Sequence, residues 1–217
     1  FIKGAQDNGL ITCAKHFPGH GNTETDSHTS LPTILSTPAA LDTLEMIPFR
    51  NAIEVGVKMI MIGHIALPKL DESGDPSSHS FTITTKLLRN KLGFDGIIIT
   101  DGMEMGAIAE SAWAGESAIR AVEAGVDILL LPMDIEHTIN SLEEAVNSGR
   151  ISEKRINKSV QRIWKMKLET GLFEHNYQHS FPELEKIIGD GEHKKVARQI
   201  AQKSITIVKD NSSQLPL

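Results

Sequence analysis

Gly96-Ile97-Ile98-Ile99-Thr100-Asp101-Gly102 is an unbroken apolar run that ends on a carboxylate. Continuous rather than alternating hydrophobicity suits a strand buried on both faces, as in a parallel sheet. Three more runs share the form, at residues 10–14, 57–62 and 127–131, and a longer helical pattern follows each one. The intervening patterns predict helices over residues 41–55, 85–92 and 116–124. Gly56, Gly93 and Gly125 stand just past their ends, where a left-handed residue stops a helix. Pro48 is expected to split the first of these helices. Further helices are predicted over residues 135–148, closed by Gly149, and 152–170. A repeating β–α order means parallel strands with helical crossovers, which a doubly wound sheet and a (β/α)8 barrel both satisfy. The polar residues decide between them. Lys15-His16, His64, Asp101 and Asp134 all fall at or just beyond the C-terminal ends of the four runs, and chemistry gathered there is the habit of a barrel. Such barrels take eight strands and about 250 residues. The fold expected for residues 1–170 is therefore α/β, the C-terminal half of a (β/α)8 barrel.

Past Gly171 the pattern changes. Residues 171–190 hold scattered aromatics, His175, His179 and Pro182, and read as a surface linker. Helical periodicity resumes over 193–203, and residues 205–208 look like a buried strand. Residues 191–217 are thus expected to open a second α/β domain. Phe1-Ile2-Lys3-Gly4 resembles the tail of a helix already under way, so the sequence reads as part of a longer chain. With 40% hydrophobic and 23% charged residues the composition is that of a globular protein. The net charge of −6 comes without a block of like charges, which argues against a nucleic-acid surface. No apolar run approaches the ~20 residues that cross a bilayer. The single cysteine, Cys13, excludes a disulfide framework within the chain and a cysteine-based metal site.

Asp101 is placed as a covalent nucleophile must be, rigid and partly desolvated at a barrel mouth. Alone, it reads equally well as a cap on the following helix. Gly102 beside it would permit close approach of a ligand. The densest chemistry lies in the loop Lys15-His16-Phe17-Pro18-Gly19-His20-Gly21-Asn22-Thr23-Glu24-Thr25-Asp26-Ser27-His28. Asp26 and His28 are two apart, so in extended geometry they point the same way and can hydrogen-bond. A carboxylate on one imidazole nitrogen fixes the tautomer and leaves the other to exchange protons. An Asp-x-His pair in a loop is more often simply solvated. His16, His20, Asp26 and His28 could instead ligate a metal, but the spacing is not that of a helical His pair and no ligand-rich site follows on later strands. Gly19 and Gly21 lack the third glycine or Gly-Lys-Ser/Thr of a phosphate cradle. With few apolar anchors, residues 18–30 are expected to form a loop that closes on substrate.

Lys15-His16-Phe17-Pro18-Gly19-His20-Gly21, Asp26-Ser27-His28 and Leu31-Pro32 together resemble the signature of the β-N-acetylhexosaminidases within the family 3 glycoside hydrolases. Ile99-Thr100-Asp101-Gly102-Met103-Glu104-Met105 is similar to that family's nucleophile motif, and Met61-Ile62-Gly63-His64 to the strand end before it. The resemblance runs from Phe1 to about Leu217. The Pro-Gly-His-Gly and Asp-Ser-His elements select this branch over the β-glucosidases, which lack them. Asn22 stands where relatives often carry Asp. The resemblance implies that Asp101 is the nucleophile, that His28 with Asp26 is the acid/base, and that Lys15 and His16 bind sugar hydroxyls. It leaves His64 either lining the pocket as a substrate ligand or serving as a satisfied structural histidine. It also places four earlier strands, with further Asp and Arg sugar ligands, ahead of Phe1. In some Gram-positive members a second α/β domain follows the barrel, and those proteins are often exported to the cell wall.

Retaining glycosidases normally use two carboxyl groups. A histidine in place of the second, with an unperturbed pKa of ~6.5, can protonate the leaving oxygen and later deprotonate water. It also removes a negative charge, which makes attack by an anion such as phosphate less unfavourable. The substrates implied are muropeptides or chitin-type oligosaccharides bearing N-acetylglucosamine. No metal or organic cofactor is implied. The rivals are a metal-dependent barrel hydrolase and a non-catalytic carbohydrate-binding relative.

Overall fold

The computed structural model describes residues 1–23, 30–105, 114–174, 180–209 and 211. The chain divides into two compact units, Phe1–Gly171 and Leu172–Leu217. The first contains a four-stranded parallel sheet in the order β1-β2-β3-β4, formed by Cys13–Phe17, Met59–Ile62, Ile97–Gly102 and Ile128–Leu130. Strand order thus follows chain order, and the sheet does not close: β1 and β4 are its edges. This is half of a (β/α)8 barrel. The first strand begins three residues later than its apolar run, because Leu10 and Ile11 are exposed before the chain reaches the sheet.

Helices α1 (Ile2–Gln6), α2 (Pro38–Thr43), α3 (Met46–Glu54), α4 (Thr82–Lys91), α5 (Ala114–Ala124), α6 (Ile135–Asn147) and α7 (Glu153–Glu169) complete this unit. The break between α2 and α3 falls at Leu44 and Glu45 rather than at Pro48. Pro48 lies in the first turn of α3, where its missing N–H has no intrahelical partner to lose. Helix α4 is wound in the wider π form. The glycines read as helix stops, Gly56, Gly93, Gly125 and Gly149, all take positive φ. Ile60, Ile62 and Ile98 pack outward with Phe17 against Leu41, Met46 and Phe49 of α2 and α3 and Ile83 and Leu88 of α4. The rings of Phe17 and Phe49 meet edge to face at 5.0 Å, a geometry contributing about 0.5–1.5 kcal/mol beyond burial.

Helix α7 crosses the N-terminal ends of all four strands. Arg155 donates to the carbonyls of Val122 and Val126 ahead of β4, and Arg162 reaches Asp127 and Asp95 ahead of β4 and β3. Glu169 pairs with Lys58 ahead of β2, and Thr170 joins Gln6, Gly9 and Leu10 around a small hollow ahead of β1. A cavity of about 520 Å³ lies beneath the helix, between its Lys158, Arg162 and Lys165 and the turns at Gly56 and Gly93. It is at the opposite end of the strands from Asp101.

The second unit contains α8 (Phe181–Ile187) and α9 (Gly191–Ser204). Part of the segment read as a linker is therefore helical, started by Ser180, whose N–H donates to Glu183. Residues 205–208 do not form the strand their composition suggested. Ile205, Ile207 and Val208 are exposed, and no neighbouring strand among the described residues pairs with their backbone. An apolar run becomes a strand only where its N–H and C=O groups find a ladder.

Candidate active site

Strand β3 carries Asp101 to the C-terminal edge of the sheet. The strand is buried along Ile97–Thr100, and the side chain of Asp101 is only 17% exposed. The Gly102 N–H donates to its Oδ1 at 2.9 Å, and Oδ2 lies 3.4 Å from Nε2 of His16. Thr100, one residue back, anchors the neighbouring strand by accepting from the Leu130 N–H at 2.9 Å. The helix that Asp101 could cap would run into residues 106–113, which lie outside the described residues. Asp134 is a cap: it accepts from the His137 N–H at the start of α6. A Cβ on Gly102 would make ordinary contacts of 3.6–3.9 Å with Met105 and Leu131, so space does not demand glycine there.

His16 reaches Asp101 across Gly63. In register, Ile62 pairs with Phe17 on one side and Thr100 on the other, which puts Gly63 between the two functional strand ends. The Gly63 N–H donates to the Phe17 carbonyl at 2.8 Å. A Cβ on Gly63 would lie 3.2 Å from the His16 Cβ and 3.1 Å from Ile65 Cδ1, tighter than side chains normally pack. The gap left by this glycine is what lets the imidazole span the middle strand. Lys15, the middle residue of β1, is exposed beside it. The ring of His20 stands edge-on to His16 at 6.3 Å. Gly19, with φ +122°, turns the loop against Glu45, whose Cβ would lie 2.8 Å from any side chain there. One Glu45 carboxylate oxygen is buried with no hydrogen-bond partner among the described residues.

His64, read as a pocket-lining ligand or a structural histidine, sits behind the strand ends. It is fully buried, and both ring nitrogens are taken by the protein, Nδ1 by Ser78 Oγ at 2.9 Å and Nε2 by the Gly102 carbonyl at 3.1 Å. Burial, the largest influence, lowers its pKa below the usual histidine value. Beside it, His79 meets Ser117 Oγ of α5 at 3.0 Å and is pushed down to about 4, mainly by burial. Ser78, His79 and Ser117 escaped the sequence reading. Ser78 and His79 sit in a short polar run that is buried through Ser77–Ser80, and Ser117 lies buried on α5. Asp26 and His28, read as the dyad, lie outside the described residues. Among the described residues no group of three or more His, Cys, Asp or Glu is placed to hold a metal ion. None of their helices is long and apolar enough to cross a membrane.

Residues 1–166 match the glycosyl hydrolase family 3 N-terminal domain. Over its full length the chain is 30% identical to a β-hexosaminidase A from Pseudoalteromonas piscicida, spanning 39% of that protein. A family 3 β-N-acetylglucosaminidase from Paenibacillus sp. superposes with a TM-score of 0.87 at 37% identity, over 96% of this chain and 40% of the other. A β-glucoside phosphorylase superposes with a TM-score of 0.91 at 28% identity, over 99% of this chain and 40% of the other. The chain thus spans about two fifths of the length of these relatives. A nucleophile-like aspartate closing β3, a histidine from β1 set against it and a match over three quarters of the residues agree, and the chain belongs to glycosyl hydrolase family 3.

Proposed function

We propose that this chain supplies the nucleophile and the acid/base of a retaining glycosidase that removes terminal β-linked N-acetylglucosamine from muropeptides or chitin-type oligosaccharides. The observation that carries the reading is the Asp101 carboxylate. One oxygen is pinned by the Gly102 N–H and the other is turned toward His16, at the end of a strand where family 3 chemistry belongs. Asp101 attacks the anomeric carbon as His28 protonates the departing oxygen. His28, steadied by Asp26, then takes a proton from the water that breaks the glycosyl-enzyme ester. Lys15 and His16 hold sugar hydroxyls at the rim. The names of the relatives in Pseudoalteromonas and Paenibacillus support N-acetylglucosamine as the sugar. Export to the cell wall fits a muropeptide substrate, and fractionation of cells tests it. The deciding experiment treats the whole protein with a 5-fluoro N-acetylglucosaminyl fluoride and maps the labelled peptide. Label on the peptide containing Asp101 is expected, and label elsewhere refutes the assignment.

A second reading has its own support in the fold shared with a β-glucoside phosphorylase. An imidazole in place of a second carboxylate leaves the site less repulsive to phosphate. Turnover in phosphate buffer should then release some sugar 1-phosphate, which anion-exchange chromatography would detect. Its absence at saturating phosphate rules this branch out.

A further inference from the structure

A buried polar chain begins directly behind Asp101 and takes no part in the chemistry proposed above. His64 follows β2 by two residues and joins two groups that are distant in sequence, the Gly102 carbonyl and the Ser78 hydroxyl. A carbonyl oxygen only accepts, so Nε2 carries a hydrogen and donates. The buried ring is held neutral, because burial pushes its pKa down, so Nδ1 is bare. The Ser78 hydroxyl therefore donates to it. Ser78 and His64 are both fully buried, and the pair permits one tautomer and one ring orientation.

Gly102 is the link from this pair to the carboxylate. Its N–H donates to Asp101 Oδ1, and its carbonyl accepts from both the Met105 N–H and His64 Nε2, each at 3.1 Å, so His64 supplies the one side-chain hold on it among the described bonds. Glycine is the softest backbone unit available, and nothing about its own side chain can keep it in place. If it turned, the N–H would leave Oδ1 and the carboxylate would be free to swing toward His16. We propose that His64, fixed by Ser78, is a positioning residue that clamps Gly102 and thereby sets the orientation of the Asp101 carboxylate for attack. The assignment rests on Asp101 being the nucleophile. It gives His64 a role in the chemical step and none in holding sugar.

The test compares His64→Leu, His64→Gln and Ser78→Ala with wild type in the whole protein. The substrate is an aryl N-acetylglucosaminide, and the 5-fluoro N-acetylglucosaminyl fluoride reports the labelling rate. His64→Leu keeps the bulk and loses the donor. Its kcat should fall about 100-fold, the cost of a misplaced reacting group, with KM within about threefold of wild type. The amide nitrogen of His64→Gln can donate to the same carbonyl and should restore about tenfold of that loss. Ser78→Ala leaves the ring but removes the hydroxyl that holds Nδ1 and fixes the ring's orientation, and should lower kcat in the same sense; it carries the test with His64→Gln should His64→Leu fail to fold. The inference is overturned if His64→Gln and Ser78→Ala turn over like wild type, or if KM rises while kcat holds. The labelled peptide separates the two readings. Label away from Asp101 in wild type overturns both, whereas label on Asp101 at an undiminished rate in the His64 and Ser78 variants overturns only the clamp.

Discussion

Asp101 and His16 owe their meeting to a residue with no side chain. Gly63→Ala would drive a methyl to within 3.2 Å of the His16 Cβ, and His16 must give way. A shift of that kind at a catalytic contact should lower kcat/KM about tenfold with little loss of stability, measurable by steady-state kinetics beside thermal unfolding. Asp101→Ala should abolish turnover of every substrate. His28→Ala should spare the first step for aryl glycosides, whose leaving groups need little protonation, and fail on natural disaccharides. Equal loss on both substrate types would remove His28 from the acid/base role. His79 gives a pH signature. Its folded pKa, about 4, is below the ordinary histidine value, so the unfolded chain takes up the proton first as pH falls. Stability is complete above about pH 6.5 and is lost between there and pH 4, by about 3 kcal/mol. His64, Arg120 and Glu116 also act on that ring, and His79→Gln should flatten the acid limb in denaturant titrations. Asp101 was legible in the sequence because a carboxylate closing a buried strand stands out. His64 was legible only as a choice between two roles, and its partner Ser78 was not legible at all, being fourteen residues on in a buried polar run.

Helix α7 is fastened by a buried acid. The side chain of Asp127 is fully enclosed; Oδ2 accepts from Arg89 at 2.8 Å and from the Ile98 N–H at 3.0 Å, and Oδ1 from Arg162 and Ser159. Burial lowers the pKa of both Arg89 and Arg155, with Asp127 opposing that shift in each. Removing the carboxylate strands several cations at once. Asp127→Ala should cost about 3–5 kcal/mol, seen as a lower denaturant midpoint, while Asp95→Ala, whose side chain is almost wholly in water, should cost under about 1 kcal/mol. The helix was legible from its period and from Ser152 at its start, which accepts from the Arg155 N–H. Its path across the strand ends was not, because that depends on Asp127, Asp95 and Lys58 lying in separate parts of the sequence. Asp127 read simply as the first residue of an apolar run.

Four parallel strands in chain order, with helices between them, follow from apolar runs and glycine stops that are plain in the sequence. The same pattern misled at residues 205–208, where strand composition met no ladder. An open sheet leaves apolar residues uncovered at the β4 edge: Leu131, Met133, Ile135 and Ile139 are each more than half exposed. Contiguous exposed apolar surface drives association. Residues 1–217 expressed alone should self-associate in sedimentation experiments and leave an aryl N-acetylglucosaminide unhydrolysed. A monomer of near-full activity would show that the remaining barrel strands are not needed for the site.

The strap formed by α7 also has a consequence in time. Lys58 and its partner Glu169 are 111 residues apart, and the ion pairs from Arg162 and Glu169 to the lower rim of the sheet wait on the last helix of this unit. At translation speeds of 5–20 residues per second, the ribosome takes about 6–22 s to deliver the second partner after the first. Strands and helices accumulate during that interval with no strap, and the strand starts are open to chaperones and to one another. Synonymous codons that slow the ribosome before residue 153 would lengthen this window, and the yield of folded protein is where that would register.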